Sequence, residues 1–227
     1  MERRAGMVHA ISSNIALFKA LTSEIMPGIE IIHLVDEGLL FLSARQSRDR
    51  AIDRLGLLAS FAEESGAEVV MYTCTAFGSL VDKIQNTVNV PILAVLEIVA
   101  EEAIKLSDSI GVLASHPGTL ESALQVIQEK AKLIEKKVDL KALLCVGAFD
   151  AARRNNWSTH DHIVLEYLKK LTQDVGMVVI PQPSMERVLK QIPNQEYKVP
   201  VLSGGKLSVQ RLKYALDSLS PSTSKGA

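Results

Sequence analysis

Aromatic residues are scarce in this sequence: 4% of 227 positions, against 47% apolar. The core must therefore be aliphatic, as in α/β proteins built from Val/Ile strands and Leu/Ala helices. An excess of charge is missing too. The net charge is −1, which gives no basic footprint for nucleic acid. No apolar run reaches the ~18 residues that a membrane-spanning helix needs. There are only two cysteines, far apart, which argues for reduced thiols rather than a disulfide framework. Cys-x-x-Cys, His-Glu-x-x-His and Gly-rich phosphate loops are all absent. Ser203-Gly204-Gly205-Lys206 is too short to be a phosphate loop and reads as the start of a helix. No cofactor and no metal are expected. The basic start, Met1 to Gly6, is not followed by a compact apolar stretch with a small-residue cleavage site, so no signal peptide is expected and the location is taken as cytoplasmic. The Ser-rich tail, 218–227, is expected to be frayed.

What is present is a regular alternation of strands and helices. Strand patterns run over Gly6–Ile11, Gly28–Leu34, a β-branched run ending at Cys74, and Pro91–Val95. Helical patterns fill Ser12–Glu24 and a long stretch from about Ser43 to Ser65, with apolar spacing at Ile52, Leu55, Leu58 and Phe61. A polar loop holds Asp36-Glu37-Gly38. The pattern then repeats: helix over about Glu97–Leu106, strand Ser109–Ala114, helix to about Ile134, strand Val138–Val146, helix over about His160–Gln173, strand Gly176–Ile180, short strand Pro200–Leu202, helix Lys206–Ser218. The fold class is therefore α/β: two similar Rossmann-like halves, each a four-stranded parallel sheet flanked by helices, with the active-site cleft between them. The first half is assigned to 1–96 plus 203–227 and the second to 97–202. This length suits two units of about 100 residues.

Cys74 is the most informative position. The run Val69-Val70-Met71-Tyr72 reads as a buried parallel strand. It stops at Thr73-Cys74-Thr75, and a helical pattern follows through Leu80, Val81 and Ile84. The expected placement is thus a thiol at a strand's carboxyl end and a helix's amino end. Open α/β sheets bind ligands there, and a helix N-terminus favours thiolate. The flanking hydroxyls and backbone N–H groups can hold a carboxylate.

Several loops together resemble those of the aspartate/glutamate/hydantoin racemase superfamily, over nearly the whole chain from His9 to about Tyr214. The first strand–helix loop carries Ser12-Ser13. The third carries Thr73-Cys74-Thr75-Ala76, similar to the family's Cys-Asn-Thr or Cys-Ser-Thr. Gly111-Val112-Leu113-Ala114-Ser115-His116-Pro117-Gly118-Thr119 resembles its Ala-Thr-x-x-Thr loop. The family's racemases carry a second cysteine after the penultimate strand, usually within Gly-Cys-Thr-Glu. Here that stretch reads Ile180-Pro181-Gln182-Pro183-Ser184-Met185, so Gln182 or its neighbour stands in place of the second thiol.

Racemisation needs one group to take a proton from one face of a carbon and another to return it on the other face. The resemblance implies a cofactor-independent isomerase or racemase acting on a small carboxylate through Cys74. With one thiol, two further reactions of the superfamily are open: decarboxylation of a malonate-like acid, and cis–trans isomerisation by thiolate attack on an activated double bond. A non-catalytic carboxylate-binding homologue is the reading from another class. Ser12, Ser13, Thr73, Thr75, Ala76, Ser115, His116, Thr119, Gln182 and Ser184 are the candidate binding residues; each Ser or Thr is equally suited to be an ordinary helix N-cap. His116 can be a base opposite Cys74 or a solvent-facing loop residue. Cys145 reads as a buried small hydrophobe. His160 and His162, two apart, make a poor metal pair on a helix, although His160 can reach the cleft from a helix start. The expected partners are a small carboxylate substrate and further copies of the chain in a homodimer or larger homo-oligomer, with no nucleic acid and no membrane.

Overall fold

The computed structural model describes residues 3–44, 47–75, 80–191 and 198–219. The strands are β1 (Arg4–His9), β2 (Glu30–Val35), β3 (Val69–Tyr72), β4 (Ile92–Ala94), β5 (Ser109–Ala114), β6 (Asp139–Leu144), β7 (Met177–Ile180) and β8 (Val201–Ser203). They form two four-stranded sheets, ordered β2-β1-β3-β4 and β6-β5-β7-β8. Every pairing is parallel. The same order occurs twice, so β1 and β5 are equivalent, as are β3 and β7. In each sheet the chain reverses its direction of travel between those two strands, which is the switch point where such sheets open a crevice at their carboxyl ends.

The inner strands β3 and β7 are buried along their whole length, and β1 and β5 nearly so, whereas β2 and β6 are edge strands with partly exposed residues. Alternation along β1 and β3 sends side chains to two cores. Ala5, Met7, Val69 and Met71 face a cluster shared by both sheets, built with Phe18, Val95, Val99, Ile110, Val112, Ile127, Val209 and Leu212. Val8, Val70 and Tyr72 face an outer cluster with Leu55, Ala59 and Ile84. The shared cluster is filled by α1 (Asn14–Ile25), α5 (Val95–Leu106), α6 (Pro117–Leu133) and α9 (Gly204–Ser218). These helices lie between the two sheets and join the halves through aliphatic burial. A third cluster, with Leu113, Val164, Leu168, Val178 and Ile180, lies on the far face of the second sheet.

Several boundaries differ from the sequence reading. Strand one lies two residues earlier than expected. The long helix expected from about 43 to 65 is α3 (Arg48–Glu64), and a separate helix, α2 (Gly38–Ala44), precedes it where none was expected. The polar loop before them starts α2: Asp36 Oδ1 accepts the Gly38 N–H over 3.0 Å, and Arg54 pairs with the same carboxylate at 2.6 Å. A short helix, α7 (Ala148–Arg153), precedes α8 (Trp157–Leu171), whose first turn is capped by the Asn156 side chain accepting from the Thr159 N–H. The stretch Pro183–Gln191 is a 3-10 helix. β3 ends at Tyr72, Cys74 stands two residues past it, and Thr75 begins a 3-10 turn. Residues 76–79 lie outside the described residues, and α4 covers Val81–Gln85. No helix among the described residues is long and apolar enough to cross a membrane. The Ser-rich tail from 220 lies outside the described residues.

Candidate active site

Four loops meet at the carboxyl edges of the two sheets, one from each switch-point strand. After β1 come Ala10, Ile11 and Asn14; after β3, Thr73, Cys74 and Thr75; after β5, His116 and Thr119; after β7, Gln182, Pro183 and Ser184. Together with Leu40 of α2 and Phe149 of α7, they enclose a cavity of about 30 Å³. That is room for a water or two, or for a group the size of a carboxylate. Ile11, Leu40, His116, Phe149 and Ser184 also border a larger cavity of about 560 Å³, whose walls add Phe41, Arg153, Trp157 and His160. The small chamber thus opens onto a wide antechamber with aromatic walls.

Within the inner chamber each polar group has a defined task. Gln182 is buried, and its Oε1 accepts from Ser115 N at 2.7 Å and Ser115 Oγ at 3.2 Å. The carbonyl end being engaged, the NH2 end is the one left to donate to a ligand. Asn14, Thr75 and Thr119 are also buried and add an amide and two hydroxyls. No lysine or arginine lines the inner chamber among the described residues, so an anion there would be held by neutral donors. Burial pushes the pKa of His116 below its usual value, so this imidazole is neutral at physiological pH. It packs edge-on against Phe149 with centroids 4.8 Å apart.

The thiols differ sharply. Cys74 is partly buried and lines the chamber. Cys145 follows β6, is fully buried, and borders neither cavity. Burial raises its pKa to about 12, so it is inert at neutral pH.

Of the residues singled out from the sequence, Thr73, Cys74, Thr75, His116, Thr119, Gln182 and Ser184 meet at the inner chamber. Ser13 and Ser115 border the antechamber. Ser12 borders neither: its N–H and hydroxyl both donate to Glu37 Oε1, at 3.1 and 2.6 Å, and hold that carboxylate below its usual pKa. Ala76 lies outside the described residues. His160 borders only the antechamber, where Asp161 holds its Nδ1 at 2.8 Å and Arg187 joins the same carboxylate while lying over Trp157 at 4.5 Å. Asn14 escaped the sequence reading, although it directly continues Ser12-Ser13 at the first strand exit. His9 escaped as well; a histidine inside a strand pattern carries no signal until its partners are known.

Comparison with known proteins places this geometry. The sequence model of the Asp/Glu/Hydantoin racemase family matches residues 15–212. No curated protein matches the sequence. Among solved structures, a glutamate racemase of Bacillus anthracis superposes with a TM-score of 0.75 at 16% identity, covering 95% of this chain and 82% of that one. An aspartate racemase homologue of Pyrococcus horikoshii gives 0.70 at 14% identity, covering 96% and 100%. An allantoin racemase of Klebsiella pneumoniae gives 0.69 at 13% identity, covering 95% and 88%. At such identities these likenesses speak for the fold; with the match over most of its length, the chain belongs to the Asp/Glu/Hydantoin racemase family.

Proposed function

We propose that this protein is a cofactor-independent isomerase in which the Cys74 thiol transfers a proton at the carbon next to a small molecule's carboxylate. The observation that carries this reading is the shared chamber of Cys74 and Gln182. One wall offers a thiol, able to give or take a proton. The facing loop offers an amide whose carbonyl is already engaged by Ser115. An amide is no base at any ordinary pH, but its NH2 can hold a carboxylate or enolate oxygen as charge develops there. The chemistry is therefore one-sided. The carboxylate sits among Asn14, Thr75, Thr119 and the Gln182 amide, and the rest of the substrate extends into the antechamber. One-sided delivery of a proton suits isomerisation, or decarboxylation of a malonate-like acid with one enantiomer formed.

A second reading is favoured by His116. It borders the same chamber and is held neutral by burial, as a base must be. In that case Cys74 and His116 work as a two-base pair.

Incubation in D2O with amino acids, small dicarboxylates and substituted malonates separates the two. Single-thiol chemistry puts deuterium into one enantiomer, or couples its uptake to decarboxylation or isomerisation. Equal exchange from both enantiomers assigns His116 as the second base. Cys74→Ala is expected to lower either activity by roughly two to four orders of magnitude. Gln182→Cys is expected to introduce two-thiol racemisation. Full activity in Cys74→Ala would rule out both readings.

A further inference from the structure

Two histidines outside the chamber are wired to the residue that precedes Cys74. His9, the last residue of β1, is fully buried. In the parallel register Met7 lies opposite His33, so His9 and His33 are diagonal neighbours on the same face of the sheet. His9 Nε2 lies 2.9 Å from His33 Nδ1, and His9 Nδ1 lies 2.9 Å from Thr73 Oγ1. The rings stack at 5.1 Å, and Phe18 of α1 flanks His9 at 5.8 Å. The Thr73 hydroxyl is 3.1 Å from the Val8 carbonyl. At the far end, His33 Nε2 is buried and meets no partner among the described residues.

A neutral imidazole carries one N–H, and each contact between the rings and Thr73 needs one proton, so only two assignments serve both of them. In the first, Thr73 donates to Val8, His9 donates from Nδ1 to Thr73, and His33 donates from Nδ1 to His9. What is left over is a lone pair on His33 Nε2. In the second, His9 donates from Nε2 to His33 and Thr73 donates to His9 Nδ1, so the Thr73 hydroxyl no longer reaches the Val8 carbonyl and a buried N–H is left over on His33. Orphaned buried donors are rarer than under-satisfied acceptors, and each unsatisfied donor forfeits its hydration. The first assignment satisfies every donor. The surroundings also oppose a further proton. Burial is the chief cause that lowers both pKa values; a proton on His33 would lower that of His9 further, and Lys19 lowers that of His33.

We propose that His9 and His33 are a neutral pair, both protonated at Nδ1, which fixes the Thr73 hydroxyl on the Val8 carbonyl and so positions the strand exit that carries Cys74. The pair acts through Thr73 and touches no substrate. Because the Thr73 proton is spent on Val8, Thr73 gives none to the ligand. The positioning role rests on the reading of Cys74 as the working thiol.

Two readouts test this without a known substrate. Long-range ¹⁵N imidazole spectra of the full chain are expected to show both rings with Nδ1 protonated and Nε2 bare, His9 still neutral at about pH 5 and His33 titrating below the ordinary histidine value. A proton on His33 Nε2, or titration of either ring near 6.5, overturns the assignment; this arm uses the unaltered protein and needs no variant to fold. Positioning is read from the rate of Cys74 labelling by iodoacetamide against pH. His33→Asn, whose amide nitrogen can stand where Nδ1 stands, is expected to keep the parent profile. His33→Leu, which has no donor, is expected to change the rate by roughly tenfold, as displacement of a reacting group does. Identical profiles for both variants contradict the positioning role. Spectra as expected in a protein whose Cys74 does not label at all support the pair and overturn the thiol reading.

Discussion

At the scale of single residues, solvation decides which groups can act. Cys74 reaches the chamber, while Cys145 is sealed beneath apolar neighbours and stays protonated at any ordinary pH. The same effect makes His9 a pH sensor for folding. Its pKa falls from 6.5 to about 4 in the folded chain, chiefly through burial, with His33 adding to it. The unfolded chain therefore binds more protons between those values. His9's contribution is complete above pH 6.5 and is lost as pH falls towards 4, and the displacement corresponds to about 3 kcal/mol. Unfolding in urea at several pH values is expected to show that loss in the parent and a shallower dependence in His9→Gln. Parallel curves for the two proteins would show that His9 is not what destabilises the fold in acid. The sequence made Cys74 legible because polar threonines break an apolar run there. It could not show His9, whose meaning comes from partners 24 and 64 residues away.

At the scale of elements, close packing between strand and helix leaves little slack. Gly6 lies in β1 beneath α3, and a Cβ at that position would sit 2.7 Å from Ala62 Cβ. Ala62 is fixed to its helix backbone and cannot rotate away. Gly6→Ala is therefore expected to destabilise the fold by about 1–3 kcal/mol, the usual cost of overpacking, measured as a lowered denaturation midpoint. An unchanged midpoint would mean that α3 rides up from the sheet without penalty. The strands and longer helices were legible from apolar periodicity, and β5 was placed residue for residue. The misreadings have physical causes. Leu39-Leu40-Phe41-Leu42 is a contiguous apolar run without helical period, so α2 went unread before the longer helix. α7, at six residues, is too short to show a period.

At the scale of the whole molecule, one strand order used twice creates the site. Each sheet contributes the two loops at its switch point, and the four loops close on one chamber. The alternation of strands and helices was enough to foresee two parallel sheets. The antechamber was not legible, because Phe149, Trp157 and Arg153 come from a helix pair that packs against the far side of the second sheet. The central claim is that Cys74 is a reactive thiol inside a site for small carboxylates. It is tested most directly by iodoacetamide labelling of both cysteines in the folded chain, followed by peptide mass, with and without saturating malonate, maleate or other small dicarboxylates. The expected result is that Cys74 labels near neutral pH and is protected by at least one of these acids, while Cys145 stays unlabelled until the protein unfolds. Labelling of Cys145 as fast as Cys74, or a Cys74 rate that no acid in the panel slows, would contradict the account.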